Sequence, residues 1–284
     1  MKLLLSVLSL SLLLSSVPYY WSAPENNPQL LFEGSLSDNL PQWNNYFNRK
    51  NRFGLFTQMD GSASRIIRYD YANDTFQEGQ FLPFDKRFNY SDPWVNKAGD
   101  YMLVQSNISA LGDPQDEFKI CESFLTNDGW TQPAPIPELI DNNKNEGSPS
   151  LVLSGNLYFN ALSESGDYDI FVLKNGSDKP EALSRNINST TFEGDFFIDD
   201  KEQFIVFSSA NRLNSQGGTD LYISFKTEKG WTPALALDKG INTEGEDFSP
   251  YITNDRKQLI FTSNRNNTTT LRPSYNHYII DFDI

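Results

Sequence analysis

A short motif that recurs about every fifty residues constrains the fold of this chain more than any other feature of its sequence. The clearest copy, residues 247–264, reads as a short strand, a polar turn and a more apolar strand that ends in Ser-Asn. Residues 196–209 form a second copy and residues 149–159 a third. Repeats of this period indicate a solenoid or a propeller.

Five units align on the residue that opens the first strand of each unit. These residues follow one another at intervals of 50, 56, 47 and 54 residues, and they are Trp43, Pro93, Pro149, Phe196 and Pro250. Each unit continues with a polar turn, an apolar second strand, a third strand of alternating polarity, and a hairpin that leads to a weaker fourth strand. Four short antiparallel strands per repeat predict the blade of a β-propeller.

The two ends of the repeat region predict how the ring closes. The last unit ends after its third strand, and residues 28–33 align without gaps with residues 233–238, the fourth strand of the unit before it. We therefore expect the N-terminal strand to complete the last blade. The prediction is an all-β chain with a single domain over residues 23–284, a five-bladed β-propeller of four-stranded antiparallel blades. Six blades remain the alternative, because residues 107–116 and 264–275 are long insertions.

The best-preserved units resemble a known repeat. Residues 246–250, 259–265 and 220–222 are similar to the WD40-like propeller repeats of the TolB type, and residues 240–245 resemble the linker between such blades. The resemblance implies a bacterial propeller that is exported to the periplasm or beyond and acts as a binding or scaffolding module. Known relatives have six blades, so the partners of TolB itself are not expected to carry over to five.

The N-terminus and the charge balance predict where the protein acts. Lys2 precedes an apolar run over residues 3–14. This pattern predicts a secretory signal over residues 1–22, too short to span a bilayer comfortably. We expect an exported protein, periplasmic or extracellular, monomeric and without a transmembrane anchor. The formal net charge of −14 argues against a nucleic-acid partner, since phosphate binding needs a basic surface.

Acidic residues cluster where three consecutive units begin. A Glu-Gly pair recurs there at Glu146, Glu193 and Glu244, and further acidic residues follow the last two pairs. The complete set of candidate binding residues on the channel rim is Glu146, Glu193, Asp195, Glu244, Glu246 and Asp247. Equivalent positions surround one opening of the channel, where carboxylates would hold a divalent cation or a basic side chain of a partner. The alternative is that they accept backbone N–H bonds in the inter-blade turns.

The sequence offers little support for catalysis. His277 is the only histidine, so a Ser-His-Asp triad or a His-based zinc site has no second candidate, and we expect an ordinary residue on an edge strand. Pairs drawn from Glu193, Asp195, Glu244 and Asp247 could serve a glycoside hydrolase. They repeat from unit to unit, however, whereas catalytic groups usually break a repeat.

Tryptophan and cysteine positions complete the sequence predictions. Trp130 and Trp231 occupy equivalent hairpins and are expected to pack between blades. Trp43 and Trp94 occupy matching entries to first strands, where burial is favoured over a role as exposed stacking platforms. Cys121 is the only cysteine and is expected to be a buried apolar residue.

Taken with the repeat, these features indicate an exported, non-enzymatic propeller without a dedicated cofactor. Its partner would be another protein or a component of the cell envelope. Two alternatives stay open: a carboxylate-dependent glycoside hydrolase, and a lectin-like propeller that binds a carbohydrate or a cation.

Overall fold

Five antiparallel β-sheets surround a central channel in the computed structural model of the chain. The structure describes residues 24, 26–31, 42–48, 52–72, 75–137, 139, 145–238, 240–265 and 275–284. The inner strand of each sheet contacts the inner strands of the sheets before and after it, and the last contacts the first. The sheets therefore form a closed ring, and the predicted five-bladed propeller is confirmed. The predicted signal over residues 1–22 lies outside the described residues.

The strands of each blade follow the chain from the channel outwards. Blade 1 comprises Gln42–Asn48, Phe53–Asp60, Ala63–Ala72, Thr75–Phe76 and Gln80–Phe81. Blade 2 comprises Tyr90–Val95, Tyr101–Ile108, Pro114–Thr126, Gly129–Trp130 and Ala134–Pro135. Blade 3 comprises Glu146–Leu151, Leu157–Leu162, Tyr168–Leu173 and Glu181–Ala182. Blade 4 comprises Glu193–Ile198, Phe204–Ala210, Thr219–Thr227, Gly230–Trp231 and Leu235–Ala236. Blade 5 comprises Asp247–Ile252, Gln258–Ser263, Asn276–Asp281 and, from the other end of the chain, Gln29–Leu30.

The ring closes through the N-terminal strand, as the alignment of residues 28–33 predicts. Gln29 pairs with Ile279 and Leu30 pairs with Tyr278, both antiparallel. The backbone N–H of Leu31 then donates to the carbonyl of His277 at 2.7 Å. The third strand of blade 5 is therefore covered on both edges, which removes an open edge that another chain could pair with.

Apolar side chains from adjacent blades interleave to form the core. Between blades 4 and 5, Phe204 and Ile223 are buried with Leu259 and Phe261 in one cluster. A second cluster joins blade 5 to blade 1, and a third contains the fully buried Cys121. This packing explains the aromatic and β-branched composition of the strands, since both kinds of residue fill a pleated, buried surface well.

Every inner strand carries a β-bulge at the same place. The register against the second strand shifts between residues 43 and 46, 91 and 94, 147 and 150, 194 and 196, and 248 and 251. One residue in each bulge has a positive φ of 38–54°, and these residues are Asn44, Asp92, Ser148, Asp195 and Ser249. A bulge redirects the side chain at its centre. It turns one polar side chain per blade into the channel.

Candidate ligand site in the channel

The five bulge residues meet in the channel and are called the channel ring here: Asn44, Asp92, Ser148, Asp195 and Ser249. Ser249 Oγ donates to Asn44 Oδ1, and Asn44 Nδ2 donates to Asp92 Oδ1. Ser148 donates to Asp92 Oδ2 from its backbone N–H at 2.8 Å, and its Oγ lies 3.2 Å from the same oxygen. Ser148 Oγ also lies 3.1 Å from Asp195 Oδ1. Each blade thus contributes one member of a hydrogen-bonded chain across the channel.

The Ser148 hydroxyl joins the two carboxyl groups of the ring. A hydroxyl carries one hydrogen, so Ser148 Oγ donates to Asp92 or to Asp195 but not to both at once. The second contact becomes a hydrogen bond when one carboxyl is protonated and donates to Oγ. The geometry therefore favours a shared proton in this pair.

The electrostatics of the pair agree with that geometry. Burial and, to a smaller extent, the neighbouring charge of Asp92 together raise the pKa of Asp195 to about 7. Burial also raises the pKa of Asp92, against the hydrogen bonds from Ser148, Asn44 and Ser91. No lysine or arginine in the described part of the chain forms an ion pair with either carboxylate.

A cavity opens on each side of the channel ring. The one at the start of the inner strands, called the entry mouth here, has a volume of about 450 Å³. Its walls carry five aromatic side chains, Trp43, Tyr168, Phe192, Phe248 and Tyr275. The cavity at the other end of the channel has a volume of about 940 Å³ and is lined by Trp94, Phe197, Tyr251 and the prolines that follow three of the ring residues. Ring carboxylates are accessible from both sides.

Three oxygen atoms converge beside Gly147 at the bottom of the entry mouth, in a group called the cradle here. They are Asn160 Oδ1, Gln105 Oε1 and Asp92 Oδ2, and they lie 2.9, 2.9 and 3.2 Å from the position that a Cβ on Gly147 would occupy. Asn160 is 7% exposed, and its Oδ1 has no hydrogen-bond partner among the described residues. Buried polar atoms are nearly always paired in native proteins, so this oxygen is one of the few exceptions among the described residues.

The carboxylates predicted for the channel rim fall into several environments. Glu193 and Asp247 are fully buried at the start of their inner strands. Glu193 accepts from Arg212 at 2.9 Å and from the backbone N–H of Ser189 at 2.8 Å. Asp247 accepts from Arg265 at 2.7 Å, and it receives the backbone N–H four residues before it in the same way. Both side chains therefore join adjacent turns and strands inside the protein.

The other predicted residues are dispersed. Glu146 is fully buried and lies 3.4 Å from the backbone nitrogen of Ile120. Glu244 is exposed, and Glu246 accepts from the hydroxyl of Tyr275 at 2.5 Å. Of the six, Asp195 is the one in the channel ring. The structure does not gather these carboxylates into one cluster, and their binding role stays a prediction.

The structural register corrects two equivalences drawn from the sequence. Asp247, not Glu244, occupies the position of Glu193, because Asp247 begins its inner strand and pairs with an arginine. Trp43 precedes the bulge of its strand and lines the entry mouth, whereas Trp94 follows the bulge and lines the opposite cavity. The extra residues in each bulge shift the alignment between units. Both tryptophans are half-buried.

His277 is fully buried, and burial lowers its pKa to about 3. It lies on a strand that is paired on both sides, so the expected edge position is wrong. The imidazole packs against Phe56, with ring centroids 5.0 Å apart. Its uncharged state fits this apolar setting.

Sequence reasoning missed Asp92, although a signal for it was present. Asp92, Ser148, Asp195 and Ser249 each stand directly before the residue that anchors their unit. The gapless alignment of Trp43 with Phe248 likewise places Asn44 on Ser249. The channel ring is therefore visible in the sequence as a polar residue at the same position of all five units.

Two further searches of the described residues concern metals and membranes. They contain no group of three or more His, Cys, Asp or Glu side chains that could hold a metal ion. Nor do they include a helix with the length and hydropathy needed to cross a bilayer.

Comparison with known proteins identifies the fold and goes no further. No family model and no curated protein matches the chain. A glycoside hydrolase superposes with a TM-score of 0.62 at 10% identity, over 92% of this chain and 92% of its own. The endo-arabinase from Bacteroides thetaiotaomicron gives a TM-score of 0.56 at 11% identity, over 94% of this chain and 98% of its own. A protein assigned as TolB from Agrobacterium tumefaciens gives 0.55 at 12% identity, over 84% of this chain and 76% of its own.

Proposed function

We propose that the protein is a non-enzymatic binding module of the cell envelope, and that it takes one group of its partner into the entry mouth. A single observation carries this proposal. Two carboxylates that form no ion pair with any described residue, Asp92 and Asp195, form the floor of a cavity with aromatic walls. A concave, largely apolar site with a few convergent polar groups of perturbed pKa is the usual form of a binding site.

The free energy of the empty site supports this function. Burial raises the pKa of Asp195, and the charge of the neighbouring Asp92 adds to this effect, because two carboxyl groups in a narrow channel destabilise each other's charged forms. A ligand that donates hydrogen bonds or brings positive charge removes this repulsion. Unfavourable local energy that a ligand relieves is typical of functional sites.

The surface around the entry mouth supports a macromolecular partner. The loops between the second and third strands open on the same face as the entry mouth, because adjacent strands are antiparallel. Leu111 and Leu213 lie in two of these loops and are almost fully exposed. Exposed apolar side chains beside a cavity offer contacts that a partner could bury.

Glycoside hydrolysis is the second candidate, and one observation favours it. Asp92 Oδ2 and Asp195 Oδ1 lie 3.2 and 3.1 Å from the same Ser148 oxygen, and are therefore no more than about 6 Å apart. Retaining glycosidases hold two carboxyl groups about 5–5.5 Å apart, one as acid and one as nucleophile. In such an enzyme one of the two carboxyl groups would be the acid and the other the nucleophile.

The hydrogen bonds of Asp92 favour binding over this chemistry. Its Oδ1 accepts from Asn44, and its Oδ2 accepts from Ser148. Both oxygens are thus engaged by other members of the channel ring, and the Ser148 hydroxyl contacts both carboxyl groups. A nucleophile needs a free oxygen that faces the reacting carbon.

The test is cross-linking of the exported protein in its native envelope fraction, with a variant that neutralises the ring. Asp92→Asn with Asp195→Asn removes both charges at nearly constant shape. The matched control, Asp128→Asn with Glu228→Gln, removes two exposed charges from the outer hairpins. We expect one defined partner that the wild type and the control capture and the ring variant does not.

The same proteins are assayed for release of reducing sugar from a panel of envelope and plant polysaccharides. Hydrolysis by the wild type that the ring variant loses would replace the binding module with the glycosidase. Equal capture by the ring variant and the control would also reject the proposal, because the ring would then contribute nothing to recognition.

A further inference from the structure

We propose that the cavity at the other end of the channel, called the far mouth here, is a second ligand site and takes a neutral saccharide. This inference goes beyond the proposed function, which concerns the entry mouth. Its basis is a set of aromatic side chains that recurs at one structural position around the far mouth. They lie next to a floor and a rim whose polar groups both donate and accept hydrogen bonds.

The aromatic residues stand two positions after the channel-ring residues of their blades. They are called the collar here: Tyr46, Trp94, Phe197 and Tyr251, from blades 1, 2, 4 and 5. All four line the far mouth, and all four are half-buried. The ring centroids of Tyr46 and Phe197 lie 6.3 and 6.0 Å from the centroid of Tyr251. Blades 1, 5 and 4 therefore present one continuous aromatic arc.

The collar is open on the side of blade 3, which has Ser150 at the equivalent position. A ligand on this side lies between Trp94 and Phe197, the collar residues of the two neighbouring blades. The far mouth has a volume of about 940 Å³, against about 450 Å³ for the entry mouth. This volume is near the upper end of the roughly 300–1,000 Å³ that is usual for small-molecule sites.

Polar groups of both kinds surround this space. The floor is the channel ring, whose two carboxyl groups accept hydrogen bonds and whose hydroxyls, on Ser148 and Ser249, both donate and accept. At the rim, Lys97 Nζ in the first hairpin of blade 2 contacts Asp200 Oδ2 in the first hairpin of blade 4. This pair passes blade 3, and its side chains are 67% and 38% exposed. Such a pair contributes little to stability, so both groups can exchange partners with a ligand.

Charge distinguishes the two mouths. Among the described residues, no lysine or arginine lines the entry mouth. The rim of the far mouth carries Lys97, Lys201 and Arg256 together with Asp199 and Asp200. A ligand there meets donors and acceptors in similar number. A saccharide matches this mixture, because each hydroxyl donates and accepts, and its apolar C–H face packs against an aromatic ring.

Other small ligands fit the far mouth less well. A cation passes the basic side chains of the rim before it reaches the floor, and an anion is repelled by Asp92 and Asp195 on the floor. A purely apolar ligand would cover these two carboxyl groups without giving them a hydrogen-bond donor, which costs free energy.

The first experiment is a calorimetric titration of the full-length protein with neutral trisaccharides, namely cellotriose, mannotriose and N,N′,N″-triacetylchitotriose. Three control probes of similar size follow: trigalacturonate is anionic, trilysine amide is cationic, and Nα-acetyl-trialanine amide is a neutral peptide. We expect at least one neutral trisaccharide to bind with a Kd below about 1 mM. We expect each control probe to bind at least about tenfold more weakly.

The second experiment locates the saccharide with tryptophan variants. Trp94→Leu removes one aromatic face of the collar, and we expect it to weaken trisaccharide binding at least about fivefold. Trp94→Phe retains an aromatic face and should retain most of the affinity. The matched control is Trp43→Leu, which makes the same change at a half-buried tryptophan of the entry mouth and should keep wild-type affinity.

The third experiment alters the rim and leaves the collar in place. Lys97→Ala with Asp200→Ala removes the exposed pair, and we expect a loss of at least about threefold in trisaccharide affinity. Lys174→Ala with Glu181→Ala removes another exposed pair, far from the channel on the outer part of blade 3, and should not change affinity. Both double variants should fold like the wild type, because all four side chains are exposed.

The possible results separate this inference from the proposed function. The absence of trisaccharide binding below about 1 mM, or equal binding of the trialanine probe, would overturn the saccharide assignment. Unchanged affinity in Trp94→Leu, with or without a loss in Trp43→Leu, would reject the far mouth as the site. Partner capture that depends on the channel ring would then leave the envelope module standing alone. Saccharide binding that depends on Trp94, without any partner capture, would instead keep the far mouth and reject the envelope module.

Discussion

Two groups of carboxylates lie at neighbouring positions along the inner strands, one buried and one facing the channel, and they differ in what compensates their charge. Glu193 and Asp247 each accept from an arginine and from a backbone N–H at the start of the strand. Asp92 and Asp195 lie further along their strands, within the bulges, and form no ion pair with any described residue. The first group is neutralised within the protein, and the second is not.

The difference separates a rule of the fold from a candidate site. The carboxylate–arginine pair is built alike in blades 4 and 5, with the arginine following the second strand in both. The channel-ring position is polar in every blade, but the residue there is Asn in one blade, Asp in two and Ser in two. A carboxylate that recurs between blades together with its arginine indicates a structural role. A position whose residue changes between blades, and whose carboxylates have no cation partner among the described residues, indicates a role in recognition.

Removal of an arginine from the satisfied group should have the largest effect on stability. Arg212→Met leaves the carboxylate of Glu193, which is fully buried, without its cation. Breaking a buried ion pair on one side costs about 3–5 kcal/mol, because the remaining charge stays out of water. We expect a loss of this size in the free energy of unfolding, measured by urea denaturation.

The control for this variant is Lys174→Met, which breaks the exposed pair between Lys174 and Glu181. Exposed pairs contribute about 0–1 kcal/mol, so this change should be small. A loss below about 1 kcal/mol in Arg212→Met as well would contradict the structural role assigned to Glu193 and Asp247.

His277 extends the comparison to a buried basic group, and the next prediction concerns its response to acid. Burial lowers its folded-state pKa to about 3, below the usual value of 6.5. The unfolded chain therefore takes up a proton that the folded chain does not. Its contribution to stability is present above pH 6.5 and is lost as the pH falls towards 3.

Wild type and His277→Phe are compared by denaturation at several pH values. Between pH 6 and pH 4 we expect the wild type to lose about 2–3 kcal/mol more than the variant, in which residue 277 does not titrate. Parallel pH profiles would show that His277 is protonated in the folded state, contrary to its burial.

Much of the fold could be predicted from the sequence because it depends on local pattern. Strand alternation and turns fix the blades, and the match of residues 28–33 with residues 233–238 predicts the closure that Gln29 and Leu30 form. The bulges could not be predicted in this way. A bulge adds a residue without interrupting the apolar pattern, and it shifts every equivalence drawn across it.

The site was less predictable than the fold, because the bulges shift the alignment between units and because its residues come from different blades. Glu244 was aligned with Glu193 by its following glycine, whereas the packing of Arg265 selects Asp247. Asp92 belongs to a pair only because Ser148, 56 residues later, brings it to Asp195. Such a meeting across blades depends on the ring geometry, which no local pattern contains.

Neutralising a carboxylate of the channel pair, Asp92 and Asp195, should raise the free energy of unfolding at neutral pH. The folded-state pKa of Asp195 is about 7, above its unfolded value of 3.8, so the folded chain holds a proton that the unfolded chain has lost. The stability that this proton provides is present below pH 4 and is lost as the pH rises to 7. Asp195→Asn has no such titration.

We therefore expect the wild type to lose about 2 kcal/mol relative to Asp195→Asn between pH 4.5 and pH 7.5, allowing for solvent in the open channel. Denaturation at these two pH values measures the difference. A wild type that gains stability relative to the variant over this range would mean that Asp195 has a cation partner, and the comparison between the two groups would fail.

The smallest effect is expected at Glu244, which the sequence grouped with the buried carboxylates. Its side chain is exposed, so Glu244→Gln should change the free energy of unfolding by less than about 0.5 kcal/mol. The same substitution at Glu193, which is fully buried beside Arg212, should cost several times more, because it weakens a buried ion pair. Partner capture should also survive Glu244→Gln, since the residue contributes to neither the channel ring nor the cradle. Loss of capture in this variant alone would instead support recognition at the channel rim through the carboxylates that the sequence analysis predicts there.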